Sequence, residues 1–441
     1  MTAAEVAGAT GGLVAPASRA VTFTSYHTDS REVLPGGLFV ALTGAALDGH
    51  RFVRSALERG AAGVLVSEAV QVSPEVAAIQ VTDTWIAFYA LARHVLVAVA
   101  PLVIGITGSN GKTSTKELVA AALGGRHRVH RTEGNLNTET GVPLTILALE
   151  PDSTALVLEM GMQGPGEIRR LADLAEPSTG VVTGIGSVHL EFFASQDELA
   201  RAKGELVAAL PESGFAVLNA DDPYFKLLAG MTRARLVSFG LEGGEIRGSG
   251  YHPLAGGGCE FECNGVTVRL ALEGRHQARN ALAALAVAFA AGIPVAEAAP
   301  LLAEVRVGHR LEAVSGPGGS LLVDDAYNAS PESMLAAFEA LAERPRQGRL
   351  LAVLGEMREL GGAADRAHRE VGERAQSVFD SIAVLDVGRG RLLAEAAGAE
   401  LLADLGSAAN WVRTHAGAGD VVLIKASNGV RLFELVSELK S

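Results

Sequence analysis

The residues Gly105-Ile106-Thr107-Gly108-Ser109-Asn110-Gly111-Lys112-Thr113 follow the apolar run Leu102-Val103-Ile104 and lead straight into Ser114-Thr115-Lys116-Glu117-Leu118-Val119. A strand, a glycine-rich turn and a helix in immediate succession constrain the fold more than any other feature, because they imply a parallel sheet whose strand end opens onto a helix N-terminus. Glycines let the backbone turn its N–H groups toward a phosphate, and the helix adds the positive end of its dipole. Gly108, Ser109, Asn110, Gly111 and Ser114 would form the cradle. Lys112 would reach the outer phosphates, and the Thr113 hydroxyl would hold Mg²⁺. The strict pattern has glycine where Ile106 stands, so this is a variant loop. ATP is the expected ligand. The reaction stays open, since motors, kinases and ligases all use such loops.

At 441 residues the chain is too long for one core, and three sections can be read. Residues 1–100 alternate strand-like runs (GLFVAL, AGVLVSE, AAIQVTD) with helical patterns such as HRFVRSALERGA, which predicts a small α/β domain. Residues 101–308 hold the phosphate loop, strands at ALVLEMG, TGVVTGI and FAVLNAD, a β-rich stretch, and the Ala-rich helix ARNALAALAVAFAAG. Residues 309–441 carry SLLVDDAY, RLLAVLGE, SIAVLDVG and DVVLIKAS with helical patterns between them, the signature of a doubly wound, Rossmann-like parallel sheet.

A net charge of −13 argues against a nucleic-acid surface, which needs clustered Lys and Arg. The start lacks the basic and apolar regions of a signal peptide, and no run of about 18 apolar residues suggests a membrane span. Cys259 and Cys263 alternate in CEFEC, so both point to one face of a strand and read as reduced core thiols. A cytoplasmic, monomeric protein is the expectation.

Three residues beyond the loop suit a phosphate site. Glu159 ends the apolar strand of LVLEMG, where an α/β sheet places its ligands, and a carboxylate there is a natural Mg²⁺ ligand or a solvent-exposed acid. His189 follows another strand end and could be a ligand or structural. Lys203 lies in a predicted helix over 196–210, between Leu199 and Leu206, at the edge of the apolar face; a solvated helix lysine is the ordinary reading.

The blocks ITGSNGKTST, LEMG, VHLEFF, ARAKGEL, GRHQARNALAA, GHRLE and DDAYNASP occur in the order found in Mur ligases and their folylpolyglutamate synthetase relatives, and the chain resembles that family over essentially its whole length. The resemblance implies ligation through an acyl phosphate, with ATP phosphorylating a carboxylate that an amine then attacks. It implies that Lys112, Glu159, His189 and Lys203 are catalytic and that two Mg²⁺ ions are held by Thr113, Glu159, His189 and Lys203, the last as an N-carboxylated carbamate. Asn280 would contact adenine, with His276 one turn before it. Arg310 would reach ATP phosphate from an interdomain hinge, Asp325 would lie near the ribose, and Tyr327 and Asn328 would flank the nucleotide.

Within the family, DSREVLPGGLFVALTGAALDGHRFV, EGNLNTETGVPLTIL, VDDAYNASPESM and LAVLGEMRELG resemble the branch that adds D-alanyl-D-alanine to a UDP-muramoyl-tripeptide. Small-molecule partners of that kind are implied. Ser30, Arg31, Thr43, Asp48, His50, Asn135 and Asn137 would contact the UDP-muramoyl peptide, although Asp48 and His50 could equally cap a turn and a helix. Lys425 and Ser427 would contact the dipeptide. Thr138, Ala426 and Asn428 depart from the branch's usual residues. A ligase adding a single amino acid, or a nucleotide-binding scaffold without catalysis, are the competing readings.

Overall fold

A computed structural model describes residues 1–44, 47–188 and 190–440. Two compact units emerge, one comprising Met1–Gly105, His127–Met162 and Glu167–Pro177, the other Ile106–Arg126, Gln163–Gly166 and Ser178–Ser441. His189 lies outside the described residues.

In the first unit the strands run Leu13–Val14, Ala77–Gln80, Gly63–Val66, Leu38–Val40, Tyr26–His27 across one sheet, parallel except for the Leu13–Val14 edge. Phe39, Val64 and Val66 face the helix Val53–Glu58 through a shared core with Val53 and Ala56. The helix Thr84–Val99 starts where the Asp83 carboxylate accepts from the Trp85 and Ile86 amides, and it buries Phe88, Leu91, Ala92 and Leu96. The strand Ala155–Glu159 is buried at every position and pairs in parallel with Val129–Arg131.

In the second unit Thr179–Val182, Phe215–Asn219, Arg235–Gly240 and Ile246–Pro253 continue in parallel beside the end of Leu102–Thr107. The β-rich stretch then turns antiparallel through Cys259–Cys263 and Val266–Leu270. Both cysteines are buried and free, as the CEFEC alternation requires, and burial pushes their thiols up to about 12 for Cys259 and about 11 for Cys263. The helix Arg275–Ala290 starts three residues earlier than its apolar pattern alone suggests, and its alanines let it pack closely against the sheet.

The last section is the doubly wound sheet, ordered Glu312–Ser315, Leu321–Asp324, Val421–Lys425, Leu350–Leu354, Ser381–Leu385, Glu400–Leu402, parallel but for its first strand. Alternate residues feed opposite cores: Leu350, Ala352 and Leu354 on one face, Leu351 and Val353 on the other. A strand covered by helices on both faces must be apolar throughout, which is why these runs show no polar alternation.

Candidate active site

The strand Leu102–Thr107 ends at Gly108, and the helix Lys112–Leu123 begins after Gly111. Gly108 has φ 144° and Gly111 φ 83°, a region that side chains disfavour. A Cβ at Gly108 would overlap the Thr183 hydroxyl, and one at Gly111 would lie 2.5 Å from the Asn280 side-chain oxygen. Glycine is therefore required at both places by conformation and by space. Thr183 clamps the loop by donating its hydroxyl to the Asn110 carbonyl at 2.6 Å, and the Ser109 amide donates to Gly184 O at 2.9 Å. Lys112 Nζ folds back to donate to Gly108 O at 2.9 Å, which holds the ammonium over the loop.

A cavity of about 250 Å³ opens beside this loop. Ser109, Asn110, Gly111, Thr113 and Ser114 line one side; Asn280, Arg310, Asp325 and Lys425 line others. Residues separated by more than 300 positions in sequence thus meet around one space. Arg310 lies over the Tyr327 ring with its guanidinium carbon 4.4 Å from the centroid. His309 and Leu311, on either side of it, have φ of 56° and 52°, left-handed conformations that cost on the order of 1 kcal/mol or more each in a residue with a side chain.

Asp325 and Lys425 are both buried and pair at 2.6 Å. Burial raises the Asp325 carboxyl and depresses the Lys425 ammonium, while their mutual attraction opposes both shifts. Lys425 Nζ also donates to Asn328 O at 3.0 Å, so Asn328 enters through its backbone; its side-chain oxygen accepts from the Ala329 amide. Ser427 stands apart from the cavity lining, accepting from the Arg358 amide at 2.9 Å and donating to Ala329 O.

Lys203 differs from the ordinary expectation of a solvated helix lysine. It sits in the helix Gln196–Ala208, whose N-cap Ser195 accepts from the Glu198 amide, and only 1% of it is exposed. Burial, and then the positive charge of Lys112, hold its ammonium well below the usual lysine range.

Several cavity residues escape the sequence reading. Asp222 accepts from the Ile185 amide at 2.7 Å and from the Tyr224 amide at 2.8 Å, and burial raises its carboxyl. Glu332 accepts from the Ser187 amide at 2.8 Å and its hydroxyl at 3.1 Å. Outside the lining, Ser330 caps the helix Pro331–Glu343 and donates to the side chain of the cavity residue Asn110 at 3.2 Å. Asp222 was findable, since it follows the strand Phe215–Asn219 as Glu159 closes its own strand. His276 lines the cavity with its Nδ1 buried and unpartnered; burial and the nearby Lys425, Arg279 and Arg310 hold it down to about 3, so the ring is neutral at ordinary pH.

In the first unit, Glu159 is buried and accepts from Asn137 Nδ2 at 2.8 Å, while its amide donates to the Thr132 hydroxyl. Asn135 is exposed in the turn before Asn137. Asp48 caps the short helix Gly49–Phe52 and accepts from His50 Nδ1 at 2.7 Å, and His50 Nε2 accepts from the Ser67 amide. Asp48 thus makes the cap that the sequence allowed, while His50 lies within that helix and ties it to Ser67. Ser30 is buried, Arg31 forks onto Asp29, and Thr43 gives its carbonyl to the Trp85 indole.

Residues 22–122 match the Mur ligase family catalytic domain, 106–288 the Mur ligase middle domain, and 309–428 the Mur ligase glutamate ligase domain. The chain belongs to the Mur ligase family. It is 36% identical to the UDP-N-acetylmuramoyl-tripeptide–D-alanyl-D-alanine ligase of Bacillus subtilis, over 97% of this chain and 96% of that protein. The crystal structure of MurF from Acinetobacter baumannii superposes with a TM-score of 0.90 at 28% identity, covering 99% and 98% of the two chains. MurF ligase from Thermotoga maritima in complex with ADP gives 0.84 at 33% identity, covering 95% and 97%. The three-domain α/β architecture read from the sequence is that of these Mur ligases, and the chain is an ATP-dependent ligase. No described helix is long and apolar enough to cross a membrane.

Proposed function

We propose that this Mur ligase joins D-alanyl-D-alanine to UDP-N-acetylmuramoyl-tripeptide, giving the UDP-muramoyl-pentapeptide. The observation that carries this reading is the near end-to-end similarity to ligases named for that reaction, at a third or more of positions identical in several of them. The domains are taken as 1–100 for the UDP-muramoyl peptide, 101–308 for ATP, and 309–441 for nucleotide closure and the dipeptide.

In the reaction the tripeptide's terminal carboxylate attacks the γ-phosphorus of ATP, forming an acyl phosphate and releasing ADP. The amine of D-alanyl-D-alanine then attacks the acyl carbon, loses a proton, and phosphate departs. The glycine cradle and the N-terminus of Lys112–Leu123 hold the phosphates, and Lys112 turns from its carbonyl contacts to the outer phosphate. Asn280 and the cavity's neutral His276 face the base side, while Arg310 aligns the γ-phosphate against its leaving oxygen. Enclosure between the loop and the Asp325–Lys425 pair keeps water from the acyl phosphate.

The donor set suits Mg²⁺: the Thr113 hydroxyl and the Glu159 carboxylate are hard oxygen donors, and His189 is assigned by resemblance. Bound Mg²⁺ offsets the repulsion between the incoming carboxylate and the phosphates. Lys203 fits as an N-carboxylated residue, because a buried amine held neutral can add CO₂ and lose a proton, becoming an anion with two oxygen donors.

ATP-dependent phosphate release, measured with the tripeptide substrate plus either D-alanyl-D-alanine or single amino acids, separates this reading from a single-residue ligase. Release that responds to a single amino acid and not to the dipeptide would refute it.

A further inference from the structure

We infer that His309 is a positioning residue for Arg310, holding the strained hinge turn through a hydrogen bond to Asp324. The inference rests on the reading of Arg310 as the phosphate-reaching arginine of the proposed ligation, and it adds a group that the motif alone does not assign.

The hinge runs into the antiparallel pair Glu312–Ser315 and Leu321–Asp324, in which Glu312 stands opposite Asp324. Asp324 closes the second strand and Asp325 follows it, and the two carboxylates reach different partners. Asp324 is buried; one of its oxygens accepts from the Ala326 amide at 3.0 Å and the other from His309 Nδ1 at 2.6 Å. Asp325 accepts from the Leu311 amide at 3.3 Å. The residue before Arg310 is thus tied to one carboxylate and the residue after it to the next. Glu312 adds a third tie by accepting from the His309 amide at 3.1 Å.

Left-handed backbone at two residues with side chains persists only where surroundings hold it. Here the ties fall on those two residues, His309 and Leu311. Between them Arg310 is aimed over Tyr327 and into the cavity. The His309 ring, half exposed and near Phe433, contacts the buried Asp324 carboxylate. Losing that contact would free the turn to rotate and carry the guanidinium away from its place, without removing any group that lines the nucleotide cavity.

The test uses the full chain with Mg²⁺, comparing His309→Leu, His309→Asn, Arg310→Ala and the double variant His309→Leu/Arg310→Ala. Asparagine tolerates left-handed backbone and puts an amide donor where Nδ1 stands. His309→Leu is expected to lower kcat on the order of 10²-fold, as a misplaced reacting group does, while ATP affinity measured calorimetrically changes by less than about threefold. His309→Asn should recover most of the loss. In the Arg310→Ala background the leucine substitution should cost nothing further, because His309 acts through the missing group. Asp324→Asn, which weakens the same contact from the other side, should show the same split if the leucine variant unfolds. Additive losses in the double variant, or parental kcat in folded His309→Leu beside an impaired Arg310→Ala, would overturn the inference. Full turnover by Arg310→Ala would instead remove the reading of Arg310, and the inference with it.

Discussion

Asp325, just past the strand Leu321–Asp324, and Lys425, at the end of its parallel neighbour Val421–Lys425, meet at 2.6 Å in the buried wall of the nucleotide cavity. In open α/β sheets ligands gather at the carboxyl ends of strands, so this ion pair lies where the fold places its chemistry. Its geometry ties the hinge to the last strand, because Asp325 also holds the Leu311 amide.

Replacing Lys425 with Met strands a buried carboxylate, and breaking such a pair costs about 3–5 kcal/mol. Lys425→Met should therefore unfold at distinctly lower urea concentration, and Lys425→Met/Asp325→Leu should recover part of the loss. A single variant within about 1 kcal/mol of the parent would show that the pair is not desolvated as described.

Lys112→Ala should leave the fold intact while nearly abolishing turnover. The Thr183 clamp on Asn110 and the Ser109 amide's bond to Gly184 O hold the loop without the lysine side chain, whose own bond to Gly108 O is an addition to them. One such donor in a water-poor site is worth roughly 3–4 kcal/mol, or 10²–10³-fold in kcat. Steady-state kinetics with near-parental kcat would exclude Lys112 from the phosphate site.

For Lys203 the alanine and arginine variants should both be almost inactive, since arginine restores only positive charge. Acetate should partly rescue Lys203→Ala by supplying an anion in the space of the missing carbamate, with thermal unfolding confirming that the variant folds. A solvated lysine would make every substitution silent, which is the outcome that contradicts N-carboxylation.

His276 sets a pH dependence. Its folded pKa of about 3 lies below the ordinary 6.5, so its contribution to stability is complete above 6.5 and is lost as pH falls toward 3. The parent's stability relative to His276→Asn should fall by up to about 1.4 kcal/mol per pH unit below 6.5; the ring is partly open to the cavity, so this slope is an upper bound. Equilibrium unfolding at pH 7 and pH 5 reads the difference, and parallel curves would mean the ring is solvated.

The phosphate loop is legible because its conformation is local: glycines at the turn, an apolar strand before it and a helix after it. The last section is legible because doubly covered strands must be continuously apolar. The first twenty residues give no element in the sequence reading, although Thr2 and Glu5 form a capping box for Ala3–Thr10. Lys203 and Glu332 are harder. Lys203 is buried although its helix pattern leaves it at the edge of the apolar face, and Glu332 reaches a backbone amide 145 residues away. Periodicity along a helix cannot report either.

The most direct test of the proposed ligation is to incubate the chain with UDP-N-acetylmuramoyl-tripeptide, D-alanyl-D-alanine, ATP and Mg²⁺, and to weigh the nucleotide product by mass spectrometry. Ligation requires a product heavier by one dipeptide less one water, with one ADP and one phosphate formed per bond. An unchanged tripeptide, or a product heavier by a single amino acid residue when only single amino acids are supplied, would contradict it.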